Sequence, residues 1–243
     1  MVTHGPSGAV PHYRARIVDT CQETPRIRTF VLDCGDQPFA FRAGQWIDLF
    51  VEIDGRMQVG GYSMTSAPSA APQFELAIQS SPRHAVTRWL HETARVDDEV
   101  VVSAGQGEFV FEAGMGRRVV LLGAGIGVTP LVSIFRHAAE VAPDIELLLV
   151  HSAVSADELP FAAELAATAA RLPGFRYVPT LTGEDPRWQG ERGRIDAAML
   201  ARLGAPVDAR HYFCGARAFI EDMHALLTQR GVPGAQQVFE KWW

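Results

Sequence analysis

Arg118-Val119-Val120-Leu121-Leu122-Gly123-Ala124-Gly125-Ile126-Gly127-Val128-Thr129-Pro130 is the stretch that decides the fold. Val119 to Leu122 is apolar without alternation, as expected of a strand covered on both faces. Glycines at 123, 125 and 127 then allow a tight turn with close approach to its backbone. Pro130 suits the first turn of a helix running to about Val141, with Thr129 as its expected N-cap. Strand, glycine turn and helix in that order open a βαβ unit.

Downstream the alternation continues. Glu146–Val150 is a second buried strand. Pro160 opens a helix with Phe161, Leu165 and Leu172 on one face. Strands follow at Phe175–Thr180, His211–Cys214 and Val238–Phe239. Helices near Ile195–Leu203 and Arg217–Arg230 fill the gaps, and Gly231 caps the latter. This predicts an α/β, doubly wound, parallel five-stranded sheet of order 3-2-1-4-5. Ligands of such a sheet lie at the carboxyl ends of strands one and four, so Gly123–Gly127 and Cys214-Gly215 are expected at one crevice.

Upstream the period is two. Arg16–Val18, Thr29–Leu32, Gln45–Val51, Phe74–Ile78 and Val100–Val102 read as short strands between turn residues, with one helix near Ala85–Ala94. This predicts an N-terminal antiparallel six-stranded β-barrel. Glu112–Gly116 reads as the seam. The expected division is a flexible tail at 1–11, a barrel domain at 12–114 and an α/β domain at 115–243.

The 243 residues are 47% hydrophobic and 21% charged, enough apolar surface for two cores. The net charge is −6 with no basic run, so neither nucleic acid nor an anionic membrane is an expected partner. Cys21, Cys34 and Cys214 cannot supply the four thiolates of a plant-type [2Fe–2S] cluster, and no metal site is expected. No apolar stretch approaches the length of a membrane span, and a cytoplasmic setting is the expectation. H-E-x-x-H, G-x-S-x-G and a P-loop lysine are all absent.

A second cluster precedes the glycine turn: Gly60-Gly61-Tyr62-Ser63-Met64, placed just after a strand. An aromatic face can stack on an isoalloxazine, and an adjacent hydroxyl can reach its N5. Taken singly, the glycines also suit a plain strand–helix turn, and Tyr62-Ser63 a core tyrosine beside an exposed serine. It is their order and combination that points to hydride transfer.

These residues resemble the ferredoxin–NADP reductase superfamily of two-domain flavin reductases, from about residue 13 to the end. Gly60-Gly61-Tyr62-Ser63 matches the second half of that family's Arg-x-Tyr-Ser motif. Gly123–Pro130, Cys214-Gly215 and Glu240-Lys241-Trp242 match its nicotinamide, cysteine and terminal motifs, and Trp188–Arg194 is similar too. The double glycine before Tyr62 and the closing Phe-Glu-Lys-Trp-Trp most resemble the subgroup called oxidoreductase NAD-binding domain-containing proteins.

The resemblance implies an NAD(P)H-dependent FAD oxidoreductase. Tyr62 and Ser63, with Gly61 and Met64 beside them, would hold the flavin ring. Ile78, Gln79 and Ser80 would bind its pyrimidine edge, and Ala85, Val86 and Thr87 its pyrophosphate. Gly125, Ile126, Gly127 and Thr129 would cradle the NAD(P) pyrophosphate, with Ser152 and Thr182 further along that nucleotide. Cys214 and Gly215 would lie against the nicotinamide. Trp242, with Trp243, would cover the flavin face, and Glu240 would orient or protonate near it. Ser63, Cys214, Glu240 and Trp242 are thus the implied catalytic set.

Two departures qualify this. Gly60 stands where the family has an arginine on the FAD pyrophosphate, which predicts weakly held FAD unless Arg83 or His84 compensates. Thr182-Gly183-Glu184-Asp185 replaces the Ser-Arg pair of NADP users, which favours NADH, although Arg187 is near. Electrons are expected to leave to a separate acceptor, protein or small molecule. Two alternatives stay open: a reductase of diffusible FAD or FMN, and a non-catalytic NAD(H)-binding module.

Overall fold

The computed structural model describes residues 10–240. The first half is a six-stranded antiparallel sheet. Its strands are β1 (His12–Thr24), β2 (Ile27–Asp33), β3 (Trp46–Ile53), β4 (Arg56–Ser63), β5 (Gln73–Gln79) and β6 (Glu99–Ser103), in spatial order β4-β3-β6-β1-β2-β5. The edges β4 and β5 meet at one corner, where Met64 bridges Leu76 and Thr65 N–H donates to Glu75 O. That closure curls the sheet into a barrel and covers edge groups that would otherwise invite pairing. Alternate side chains fill the inside, among them Ile17, Phe30, Leu32, Ile47, Leu49 and Val102. The helix α1 (Ala85–Glu92) plugs one end with Val86 and Leu90.

Asp54 and Gly55 take positive φ, 51° and 72°, in the turn between β3 and β4. Such turns match the twist of a hairpin. β4 therefore continues through Gly60-Gly61-Tyr62-Ser63, which pair with Leu49, Asp48, Ile47 and Trp46. The sequence places this motif after a strand; the structure puts it inside one. The cause is the edge position: Met57 and Val59 are exposed, so β4 has no clean alternation to read.

The second half is a parallel sheet. Its strands are β7 (Arg118–Ala124), β8 (Glu146–Ala153), β9 (Phe175–Leu181), β10 (Glu191–Arg192), β11 (Arg210–Cys214) and β12 (Gln237–Val238), ordered β10-β9-β8-β7-β11-β12. It holds six strands rather than the expected five, because two-residue β10 adds to the outer edge of β9. Helices α2 (Thr129–Val141) and α3 (Ala162–Arg171) cover one face, packing Leu131, Phe135 and Leu165 on Val119, Leu121, Leu147 and Leu149. Helices α4 (Ala197–Arg202) and α5 (Arg217–Gln229) cover the other, packing Met199, Ile220 and Met223 on Val120, Leu122, Leu148 and Val150. Burial on both faces is why these strands read as continuous apolar runs.

Two helix starts differ from expectation. A 3-10 turn, Gly125–Val128, precedes α2, so Thr129 is its first residue and not its N-cap. The Thr129 hydroxyl instead donates back to Ile126 O at 3.0 Å. Helix α3 starts at Ala162 rather than Pro160, because Phe161 has φ of 59° and its N–H donates to Glu23 Oε1.

The halves share an interface of apolar packing and buried hydrogen bonds. Phe109 and Phe111 pack into the same cluster as Ile134 and Phe135 of α2. Tyr212 donates its hydroxyl to Val110 O at 2.8 Å. Ser133 donates to Ser66 O at 2.7 Å and accepts from Gly44 N. Arg136 donates to Thr65 O, Glu75 and Glu164. Burial opposes the Arg136 charge, but the two carboxylates hold it protonated. Satisfied buried polar groups of this kind fix geometry, so the space between the halves is set in advance.

Candidate functional site

A cleft of about 1150 Å³ runs between barrel and parallel sheet. Its barrel wall carries Gly61, Tyr62 and Ser63 from β4, Ile78, Gln79 and Ser80 from the end of β5, and Ala85, Val86 and Thr87 from α1. Its opposite wall carries Gly125, Ile126, Gly127 and Thr129 after β7, and Cys214-Gly215 after β11. The two expected clusters, distant in sequence, therefore face one space. β7 and β11 pair in parallel, and Gly123 lies opposite Cys214, so their carboxyl ends coincide.

Tyr62 is half-buried, and its hydroxyl lies 2.9 Å from Thr87 Oγ1. Burial raises its pKa, and the bond to Thr87 offsets part of the rise, so the phenol stays neutral. Residues two apart on a strand share a face. Tyr62 accordingly lies across Gly60: a Cβ there would sit 2.6 Å from the Tyr62 hydroxyl. The glycine that replaces the expected arginine is thus where the tyrosine ring rests.

The start of α1 is open. His84 occupies the N-cap position, but no side chain caps the helix. The first-turn amides and the dipole favour an anion there. Arg83 and His84 line the same end of the cleft, and Arg26 enters from the β1–β2 hairpin. Arg26 lies 3.7 Å from Glu158 of the other half, and its carbonyl accepts from Ser80 N–H. Sequence reading missed Arg26, since only the closure of β2 against β5 brings the hairpin to the cleft.

The glycine turn is a tight fit. A Cβ on Gly127 would lie 2.5 Å from both Cys214 O and Gly215 Cα, all backbone. Gly125 is glycine for another reason: its φ is +54° and nothing lies within 4 Å of a Cβ. His151, wholly buried in β8, places Nε2 at 3.2 Å from Gly125 O. Burial lowers its pKa to about 4, against a weak opposing effect of that bond.

Several expected residues lie elsewhere. Met64 is fully buried inside the barrel, because the chain leaves β4 at Ser63 and Met64 bridges Leu76 of β5. Ser152 is buried in β8 beside Ala124, and Thr182 spends its hydroxyl on Ala153 O. Neither lines the cleft. Glu240 is docked on the loop at Gly107, where backbone N–H groups of Glu108 and Phe109 receive its carboxylate. Burial raises its pKa, those two bonds lower it, and the Glu108 charge adds to the rise. Trp242 and Trp243 lie outside the described residues.

The donor set suits two nucleotides. One flat apolar wall (Tyr62, Ile78), one uncapped helix start and one glycine cradle too close for a Cβ are the features that an isoalloxazine and two pyrophosphates need. Among the described residues, no cluster of His, Cys, Asp or Glu could hold a metal ion, and no helix is long and apolar enough to cross a membrane.

Comparison with known proteins agrees. A family model described as Oxidoreductase FAD-binding domain matches residues 15–111, and one described as Oxidoreductase NAD-binding domain matches residues 121–225. Oxidoreductase NAD-binding domain-containing protein 1 of Danio rerio is 32% identical over 252 residues, covering 95% of this chain and 92% of that protein. The glycine betaine monooxygenase reductase subunit of Chromohalobacter salexigens is 32% identical over 225 residues; 90% of this chain is covered, and the chain spans 61% of that protein. A ferredoxin NADP+ reductase from Neisseria gonorrhoeae, solved with FAD and NADP bound, shares the fold with TM-score 0.81 at 22% identity, covering 96% of this chain and 99% of that one.

Proposed function

The chain belongs to the ferredoxin reductase family of FAD- and NAD-binding oxidoreductases, and on that footing we propose that it oxidises NADH and passes the electrons through FAD to a separate acceptor. The observation that carries this is the single cleft lined by Tyr62-Ser63 on one side and by Gly125–Gly127 with Cys214-Gly215 on the other. With both cofactors bound, the chemistry supplied is hydride transfer from nicotinamide C4 to flavin N5, which needs rings stacked and reacting atoms about 3–3.5 Å apart.

The chain's own contribution is placement. Tyr62 presents a flat neutral face, and Ser63 beside it offers a hydroxyl to N5. The backbone of Ile78 to Ser80 meets the pyrimidine edge. The open start of α1, with Arg83 and Arg26, receives the FAD pyrophosphate and stands in for the absent arginine at Gly60. Gly125 to Thr129 takes the nicotinamide nucleotide's pyrophosphate, and Cys214 packs at the nicotinamide. Glu240 acts at a distance, by anchoring the C-terminal segment to Glu108 and Phe109. The rigid interface through Ser133 and Arg136 keeps both walls in register. The division between the two binding units falls at Glu112–Gly116.

NADH is the preferred nucleotide in this reading because Thr182-Gly183-Glu184-Asp185 replaces the Ser-Arg pair of NADP users, and the nearby Arg187 is already beside Asp185 at 3.6 Å. A separate acceptor is supported by relatives named as reductase subunits. A second reading, reduction of diffusible FAD or FMN, is favoured by one observation: Tyr62 rests on Gly60, with no arginine there.

The test is an anaerobic titration of flavin-loaded protein with NADH and NADPH, read by visible absorbance. Bleaching at one equivalent of NADH supports the proposal, and a flavin spectrum indifferent to both nucleotides refutes it. FAD retention on gel filtration then separates the bound-cofactor reading from the diffusible one.

A further inference from the structure

His151 is an unexplained buried polar group. It sits on β8 opposite Gly123 of β7, directly beneath the glycine turn, and is 0% exposed. Its Nε2 faces Gly125 O at 3.2 Å. A carbonyl only accepts, so Nε2 carries the proton and donates. In a neutral ring Nδ1 is then unprotonated, and it is buried with no hydrogen-bond partner. Leucine or phenylalanine would fill this place in the strand without stranding a polar atom. What Nε2 does must outweigh what Nδ1 lacks.

We propose that His151 is a positioning residue for the nucleotide site: it fixes the Gly125–Ile126 peptide so that the Ile126 N–H faces the cleft. The inference rests on reading the glycine turn as the pyrophosphate cradle. A trans peptide is planar, with its C=O and N–H pointing opposite ways. Pinning the Gly125 oxygen inward on a buried ring therefore aims the Ile126 N–H outward, on the side where both residues line the cleft. Gly125 makes this choice necessary. As a glycine it reaches backbone conformations that other residues rarely adopt, its own φ of +54° among them, and nothing crowds its Cβ position. In the other orientation the carbonyl, not the amide, would meet an incoming phosphate. The imidazole selects between the two, and no water competes for its proton at that depth.

The experiment is calorimetric titration of flavin-loaded wild type, H151L and H151Q with NAD+, ADP-ribose and adenosine. H151L is expected to weaken NAD+ and ADP-ribose by about tenfold, or about 1.4 kcal/mol. Adenosine, which carries no phosphate, should be unaffected. H151Q keeps an N–H donor and should recover most of the loss. H151L binding ADP-ribose like wild type, losing adenosine equally, or matching H151Q would each overturn the inference. Wild type that binds neither NAD+ nor ADP-ribose would sink the nucleotide reading and this inference together. Nitrogen-15 histidine spectra of wild type give a check that needs no variant: a proton on Nε2 is expected, and a proton on Nδ1 alone would refute the assignment.

Discussion

Gly60→Ala is the smallest change that tests how the flavin wall is built. A Cβ at position 60 would lie 2.6 Å from the Tyr62 hydroxyl and 2.8 and 2.9 Å from two carbons of its ring. Carbon atoms settle about 3.5–4.0 Å apart, so the ring has to withdraw by roughly 0.7 Å. The partner it leaves is Thr87, 2.9 Å away. One neutral hydrogen bond contributes about 0.5–1.5 kcal/mol, which is roughly two- to twelvefold in a binding constant. The assay is quenching of FAD fluorescence on titration into apo-protein. Gly60→Ala should weaken FAD by that factor. Tyr62→Phe, which removes the same bond, should act alike. The double variant should lose little more than either single change, since both act on one contact. Unchanged or tighter FAD binding in Gly60→Ala, or fully additive losses, would refute the argument that Tyr62 is seated on a glycine.

Other expectations follow from the same geometry. Gly127→Ala places a Cβ 2.5 Å from rigid backbone at Cys214 and Gly215, so stability should drop by about 1–3 kcal/mol and NADH affinity with it, measured by urea unfolding and by KM. Arg136→Leu strips the charged partner from Glu75, a largely buried carboxylate that is left with the Thr65 hydroxyl; a buried pair broken this way costs about 3–5 kcal/mol, and partial exposure here should bring it nearer 2, read as a lower urea midpoint. His151 gives a pH signature: unfolded it protonates below about pH 6.5, folded only near 4. The unfolded chain therefore binds the extra proton between these values, and wild-type stability should fall as pH drops through that window while H151Q stays flatter.

The parallel sheet was legible because burial on both faces writes itself as the unbroken run Val119–Leu122. The meeting of the glycine turn with Cys214-Gly215 followed from strand order alone. The barrel was less legible at its edge. β4 carries exposed Met57 and Val59, so neither alternation nor a run marks it. Met64 is expected beside the cleft from its place next to Ser63, yet it pairs across the barrel closure with Leu76 and lies in the core. Arg26 and His151 could not be found by motif. The first reaches the cleft through a hairpin closure, and the second is a lone histidine whose meaning depends on which carbonyl lies above it. The resemblance implies a chemical role for Glu240, while its site on the Gly107 loop is a tertiary contact with no local trace in the sequence.

A crystal structure of this protein grown with FAD and NAD+ tests the shared cleft most directly. A flavin ring should lie against Tyr62 and Ser63, with a dinucleotide pyrophosphate over Gly125–Gly127 in the same cleft. A cleft left empty at saturating nucleotide, or nucleotides bound at another surface, would contradict it.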